Sequence, residues 1–170
     1  MSRPKPERPG PGQESVWDYP RPPRLEAVTA TLEVVLGGVL IARSRGGWRV
    51  LETSHPPTYY LHGDAFLDGA LRPTEGSSFC EWKGQAAYAD LVARPEGGEE
   101  VVAPRAAWTY PTPTRGFTDL VGCWAVMASA VDECRVDGEV VTPQPGGFYG
   151  GWITSSVVGP FKGGPGSYGW

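Results

Sequence analysis

The sequence predicts a β-rich domain with at most one or two short helices, and three observations support this class. Apolar and polar residues alternate in short segments, as in 28–34, which is the period-two pattern of a half-buried strand. Turn-forming pairs such as Asp137-Gly138 separate these segments and favour tight hairpins. No segment keeps the apolar spacing of a helix over three turns, although a short helix is expected over 65–71.

Glycine and proline pairs set the expected strand boundaries. We expect Gly46-Gly47 to reverse the chain in a second hairpin turn. Pro56-Pro57 interrupts the pattern, so the segment after it is expected to be an edge strand. The expected strand segments are 28–34, 39–42, 48–52, 58–61, 79–82, 85–92, 100–103, 121–127, 134–136 and 139–141.

The chain of 170 residues is the size of one domain, with a core and two arms. Its 24 glycines and 18 prolines are concentrated at the ends, so the middle can still pack. We therefore expect a proline-rich N-terminal arm over 1–24, of which 1–13 is disordered, and a β-rich core over 25–142. Residues 143–170 form a second arm, rich in glycine and aromatic residues, that packs on the core.

Composition argues against several classes of function. A net charge of −4 offers no general attraction for nucleic acid. No apolar run approaches the length of a membrane span, and the N-terminus does not resemble a secretory signal. The three cysteines form no CxxC pair, so we expect no metal, no cofactor and reduced thiols in the cytoplasm.

Three strings in the middle of the chain carry a family resemblance. They are Glu52-Thr-Ser-His-Pro-Pro-Thr-Tyr-Tyr60, Cys80-Glu-Trp-Lys-Gly84 and Trp108-Thr-Tyr-Pro-Thr-Pro113. In this order and at these separations they resemble the domain-of-unknown-function family numbered 427, also labelled nucleotidyltransferase-like. The strings at 16–23 and 146–152 look like those of its longer bacterial members.

The resemblance spans about residues 26–141 and implies a tent-like or barrel-like antiparallel sheet. The fold it implies is similar to that of small zinc-binding proteins, but the missing CxxC pairs predict a zinc-free domain here. The nucleotidyltransferase label has no support in the motifs, because a phosphate-binding loop and a carboxylate pair for Mg²⁺ are both missing. The sequence also departs from the family pattern at 126–128 and at His62.

His55 is the ionisable residue most suited to acid-base chemistry, since imidazole titrates near neutral pH. It lies beside the rigid Pro56-Pro57 and close to Glu52. The competing interpretation is that it only hydrogen-bonds backbone in a turn. His62 is expected to be an exposed loop residue.

Lys83 and Cys80 share a short segment, so the ammonium is near enough to activate the thiol. An extended strand over 79–82 would instead place Cys80 and Lys83 on opposite faces. We therefore expect Cys80 to fill the core. Lys83 is either a binding group for an anion or a partner of a nearby glutamate.

Together these observations predict a domain that binds a small molecule or peptide in an aromatic and ionisable pocket. The alternatives are an enzyme that uses His55 and Lys83, or a homo-oligomeric assembly module that uses the arms. The expected ligand-binding residues are Glu52, His55, Tyr59, Trp82, Lys83, Trp108 and Tyr110.

Overall fold

The computed structural model describes residues 3–170, which form β-strands and single 3-10 turns without an α-helix. In this part of the chain no helix is long and apolar enough to cross a membrane. The strands are β1 Glu14–Ser15, β2 Arg24–Leu36, β3 Val39–Leu51, β4 Thr58–His62, β5 Leu71–Cys80, β6 Gly84–Ala93, β7 Val101–Thr109, β8 Cys123–Val126, β9 Glu133–Val136, β10 Glu139–Val140, β11 Thr142–Pro143, β12 Trp152–Ile153 and β13 Val157–Val158. The 3-10 turns are Val16–Asp18, Gly63–Ala65, Thr118–Leu120 and Ala128–Ala130.

Nine strands form one antiparallel sheet, which confirms the mainly β class. Their order is β10-β9-β2-β3-β4-β8-β7-β6-β5. In the described residues the edge strands β10 and β5 do not pair with each other, so the sheet is open rather than a closed barrel. β9 and β10 flank Asp137-Gly138, as the turn pair predicted.

Three local expectations are wrong. Gly46-Gly47 makes no hairpin turn, because β3 runs through it and Gly46 takes a φ of +84° beside a bulge in β2. β4 is not an edge strand but lies between β3 and β8, since Pro56-Pro57 ends before the strand begins. The helix over 65–71 does not form; the turn Gly63–Ala65 leads through a loop into β5.

The two faces of the sheet pack into separate apolar clusters. β4 shows the division, because Tyr59 and Leu61 enter the larger core whereas Tyr60 enters the smaller one on the other face. Trp152 of the C-terminal arm completes the larger core. Its ring stacks on Tyr59 at 5.3 Å and its indole N–H donates to the Val126 carbonyl at 3.0 Å. The arm is therefore part of the hydrophobic core.

The N-terminal arm bonds to the C-terminal arm of the same chain. β1 pairs in parallel with β13, and the Trp17 indole donates to the Pro160 carbonyl at 2.9 Å. Within the segment expected to be disordered, residues 1 and 2 lie outside the described residues. Further along, Glu7 exchanges hydrogen bonds with Gly159, through its own amide at 2.8 Å and its carboxylate at 3.0 Å.

Arg49 joins the N-terminal arm to the sheet. Its side chain is only 14% exposed and forms ion pairs with Glu14 of β1 at 3.0 Å and with Glu26 of β2 at 2.6 Å. A guanidinium has five donors in a fixed fork, which suits it to hold two carboxylates at once. The contact therefore connects the arm to β2 and β3 through one side chain.

Replacing Arg49 with Met should lower the free energy of unfolding by about 2 kcal/mol, because the hydrogen-bonded ion pairs of its guanidinium with Glu14 and Glu26 are lost. Arg43→Met is the matched control: Arg43 is 61% exposed and 3.8 Å from Glu33, so its loss should change stability by less than about 0.5 kcal/mol. Urea denaturation measures both values. Equal effects of the two substitutions would contradict the role assigned to Arg49.

Candidate functional site

A cavity of about 570 Å³ opens on the face of the sheet that carries Tyr60. Its walls come from the 52–60 segment, the β5–β6 hairpin, β7 and the C-terminal arm. This volume lies within the range of roughly 300–1,000 Å³ typical of small-molecule sites. The three strings that carry the family resemblance therefore line one concave surface.

Six of the seven predicted ligand-binding residues line this cavity. They are Glu52, His55, Trp82, Lys83, Trp108 and Tyr110. Tyr59 is the exception, because neighbouring residues of a strand point to opposite faces and Tyr59 faces the larger core. Tyr60 lines the cavity in its place. Sequence alternation alone did not indicate which of the two adjacent tyrosines faces the site.

Two tyrosines and a thiol lie close together in the wall. Tyr60 is fully buried, and no partner in the described residues satisfies its hydroxyl with hydrogen-bond geometry. Burial is the main cause of a raised pKa for both Tyr60 and Tyr110, and for Tyr110 the nearby Tyr60 and Cys80 add to it. Both phenols are therefore neutral hydrogen-bonding groups at ordinary pH.

Lys83 lies on the turn between β5 and β6, as does Trp82, although the sequence predicts a strand over 79–82. β5 ends at Cys80, which pairs with Gly84, so residues 81–83 form the turn. Thr114 secures it: its amide donates to the Lys83 carbonyl at 3.0 Å and its hydroxyl donates to the Trp82 carbonyl. This turn places Trp82 and Lys83 at the wall of the cavity, with the Lys83 ammonium 5.6 Å from the Tyr110 ring centre.

Cys80 is a free thiol of intermediate exposure that both packs on the smaller core and lines the cavity. The sequence predicts that Cys80 only fills the core, on the basis of a strand over 79–82. In the structure β5 ends at Cys80. Cys123 and Cys134 are free and buried. Burial raises the pKa of each of these two thiols.

Hydrogen bonding determines which nitrogen of His55 carries the proton. The Gln144 amide oxygen accepts from the Gly151 amide at 3.0 Å, so its nitrogen must be the atom facing Nδ1 of His55 at 3.1 Å. That nitrogen also donates to the Lys162 carbonyl at 2.8 Å. Nδ1 is therefore an acceptor and the neutral ring carries its proton on Nε2, which faces Glu52 at 3.5 Å.

Burial lowers the pKa of His55 to about 4, and the cations Lys162, Arg21 and Lys83 lower it further. The Glu52 carboxylate would favour the charged ring, but the ring is 8% exposed and three cations act on it. The Glu52 contact is therefore that of a carboxylate with a neutral imidazole.

The C-terminal arm supplies a wall that the sequence analysis did not assign to the site. Phe148 and Tyr149 line the cavity, and Tyr149 meets the His55 ring edge-on at 4.7 Å. Phe148 remains 77% exposed. The available signal was the pattern Gly-Gly-Phe-Tyr-Gly-Gly, in which glycine pairs flank two aromatic residues.

A family comparison accounts for the three strings. The family profile described as "Domain of unknown function (DUF427)", which carries the label NTP_transf_9, matches residues 24–137. This chain belongs to the DUF427 family. The matched part of the DUF427 domain runs from β2 through β9, so the wall made by residues 144–150 lies outside it. No curated protein matches the chain.

Neither the label nor the geometry identifies a metal-dependent reaction in this DUF427 domain. Across residues 3–170 no three His, Cys, Asp or Glu side chains are grouped to hold a metal ion. What the site presents is a neutral imidazole, an ammonium, the carboxylates of Glu52 and Glu81 and several aromatic rings around one opening.

Gly150→Ala should distort the cavity. A Cβ at this position would lie 2.2 Å from Cη2 of the rigid Trp108 indole, so either the arm or the ring must move. We expect a loss of about 1–3 kcal/mol, as for other overpacked sites, and altered tryptophan fluorescence. Gly164→Ala in the same arm meets nothing within 4 Å and should change stability little. Thermal unfolding of both variants checks this, and a neutral Gly150→Ala would contradict close packing of the arm on Trp108.

His55 should make stability depend on pH in a defined window. The folded chain keeps the ring neutral down to about pH 4, whereas its ordinary pKa is 6.5. The unfolded chain thus binds more protons between these values, and stability falls as pH drops from about 6.5 to 4, by about 3 kcal/mol. His55→Asn should lose this part of the slope while the carboxylate contribution remains. Identical slopes in urea titrations from pH 7 to 4 would contradict a buried neutral His55.

Proposed function

We propose that this domain binds a small organic molecule in the cavity, with aromatic rings around its body and Lys83 against an acidic group. The observation that supports this most strongly is that three separated strings and one arm place aromatic rings and an ammonium around one opening of suitable size. The residues proposed to contact the ligand are Glu52, His55, Tyr60, Trp82, Lys83, Trp108 and Tyr110.

The aromatic walls suit a flat ligand. Phe79 and Phe148 remain 79% and 77% exposed, although both line the cavity. Exposed aromatic rings beside a cavity lose water contact when a ligand enters, and stacking then adds to the burial of apolar surface. A flat, largely apolar molecule would cover more of these rings than a short peptide, so we favour a small molecule.

The enzyme alternative has less support from the geometry of His55. A general base needs a free lone pair directed at the substrate. Nδ1 already accepts from Gln144, and Nε2 carries the ring proton. His55 is thus placed to orient and donate rather than to remove a proton.

Two further expectations remain proposals. We propose a cytoplasmic location, because free thiols such as Cys80 persist in reducing compartments. Nucleic acid is not the proposed partner, since the net charge is −4. Assembly through the arms is not the function we favour, because within one chain the two arms already bond to each other.

Ligand binding can be tested by thermal-shift screening against aromatic acids, nucleotides and short peptides. A ligand present at a hundredfold excess over its Kd adds about 2.7 kcal/mol, which should raise the Tm by about 5 °C or more. We expect aromatic acids to give the largest shifts and Lys83→Met to weaken their binding about tenfold.

Lys5→Met removes an exposed lysine from the N-terminal arm and is the matched control. It should leave both the Tm shift and the affinity unchanged. The proposal fails if no compound shifts the Tm, or if a bound compound is equally sensitive to the two lysine substitutions.

A further inference from the structure

Glu52 is a carboxylate with spare capacity at the cavity wall. Its Oε2 lies 3.5 Å from both the Arg21 guanidinium and Nε2 of His55, and its side chain is 22% exposed. Among residues 3–170 no donor meets hydrogen-bond geometry with either carboxylate oxygen. A carboxylate offers about four acceptor sites, so Glu52 can still accept bonds from a molecule in the cavity.

Lys83 is the corresponding cation without a partner. In the described part of the chain no Asp or Glu oxygen lies within 4.0 Å of its ammonium, which faces the Tyr110 ring instead. A lysine in contact with solvent commonly needs no partner, but this one lines the same concave surface as Glu52. The cavity wall therefore carries two carboxylates, Glu52 and Glu81, and one ammonium, and in the described residues neither carboxylate forms an ion pair with Lys83.

Opposite charges in one cavity discriminate among ligands by their charge pattern. An aromatic acid would satisfy Lys83 but would bring its carboxylate into the field of Glu52. An aromatic amine would satisfy Glu52 but would face the repulsion of Lys83. A ligand that carries both charges meets an opposite charge at each group.

We propose that the ligand is an aromatic zwitterion, with its ammonium on Glu52 and its carboxylate on Lys83. This inference rests on the proposed function, since it assumes that the cavity binds a small molecule. Glu81 does not take the place of Glu52, because it is exposed on the β5–β6 turn, where solvent screens its charge. The aromatic body of the ligand lies among Trp82, Trp108 and Phe148.

Isothermal titration calorimetry with four probes at low ionic strength tests the charge pattern. Tryptophan and 4-(aminomethyl)benzoate are zwitterions with close and separated charges, whereas tryptamine carries only the cation and indole-3-propionate only the anion. We expect at least one zwitterion to bind about tenfold more tightly than either singly charged probe, which is the effect of one added charge-assisted contact.

Two substitutions assign the charges. Glu52→Gln should weaken binding of the preferred zwitterion about tenfold, while the affinity for indole-3-propionate stays the same or increases. Lys83→Met should weaken binding of both compounds. Glu99→Gln, in the exposed β6–β7 loop, and Lys5→Met remove one charge each away from the cavity and should change neither affinity. Circular dichroism and Tm establish that each variant is folded, and the four-probe series needs no variant at all.

The outcomes separate this inference from the proposed function. If indole-3-propionate binds as tightly as the zwitterions or more tightly, and Glu52→Gln does not change its affinity, the zwitterion proposal is overturned. The cavity would then be a site for acids. If tryptamine binds more tightly than the zwitterions, both the zwitterion proposal and the role of Lys83 are overturned. If none of the four probes binds while other small molecules raise the Tm, the zwitterion fails and small-molecule binding stands.

Discussion

One side-chain amide holds the candidate site together. Gln144 uses both of its N–H groups and its oxygen: it donates to His55 and to the Lys162 carbonyl, and it accepts from the Gly151 amide. A buried amide whose groups are all bonded cannot rotate without leaving donors and acceptors unpaired. Gln144 therefore connects the turn before β4 to two separate stretches of the C-terminal arm, and the orientation of His55 follows from it.

The arm sets the chemistry of the cavity as well as its shape. Because Gln144 donates to Nδ1, His55 is neutral and carries its proton on Nε2, which lies 3.5 Å from Glu52. The formal charges among the residues that line the cavity are then those of Glu52, Glu81 and Lys83, which lie beside several aromatic rings. Phe148 and Tyr149, which follow Gln144 in the same arm, add apolar surface next to these charges. Support of the imidazole and closure of the cavity are thus properties of one segment.

Sequence reasoning predicted the class of fold and most of the residues that line the cavity. It failed where the outcome depended on which strands pair and in which register. Period-two alternation identified β2, and Asp137-Gly138 identified the β9–β10 hairpin, since both signals are local. Gly46-Gly47 resembles a hairpin turn, and only its pairing with β2 and β4 shows that it lies inside β3, opposite a bulge in β2. The choice between Tyr59 and Tyr60 depended on strand register in the same way. Gln144 could not be found from the sequence, because its contact with His55 joins residues 89 positions apart in the chain.

The protonation state of His55 tests this account most directly. Long-range ¹H–¹⁵N NMR distinguishes the two neutral tautomers and the charged ring, and the chain has only two histidines, so a His62 substitution assigns the signals. The structure predicts a neutral ring with its proton on Nε2 from pH 7 down to pH 5. A proton on Nδ1, or a charged ring at pH 6, would show that Gln144 does not hold His55 and that the arm does not build the cavity wall described above.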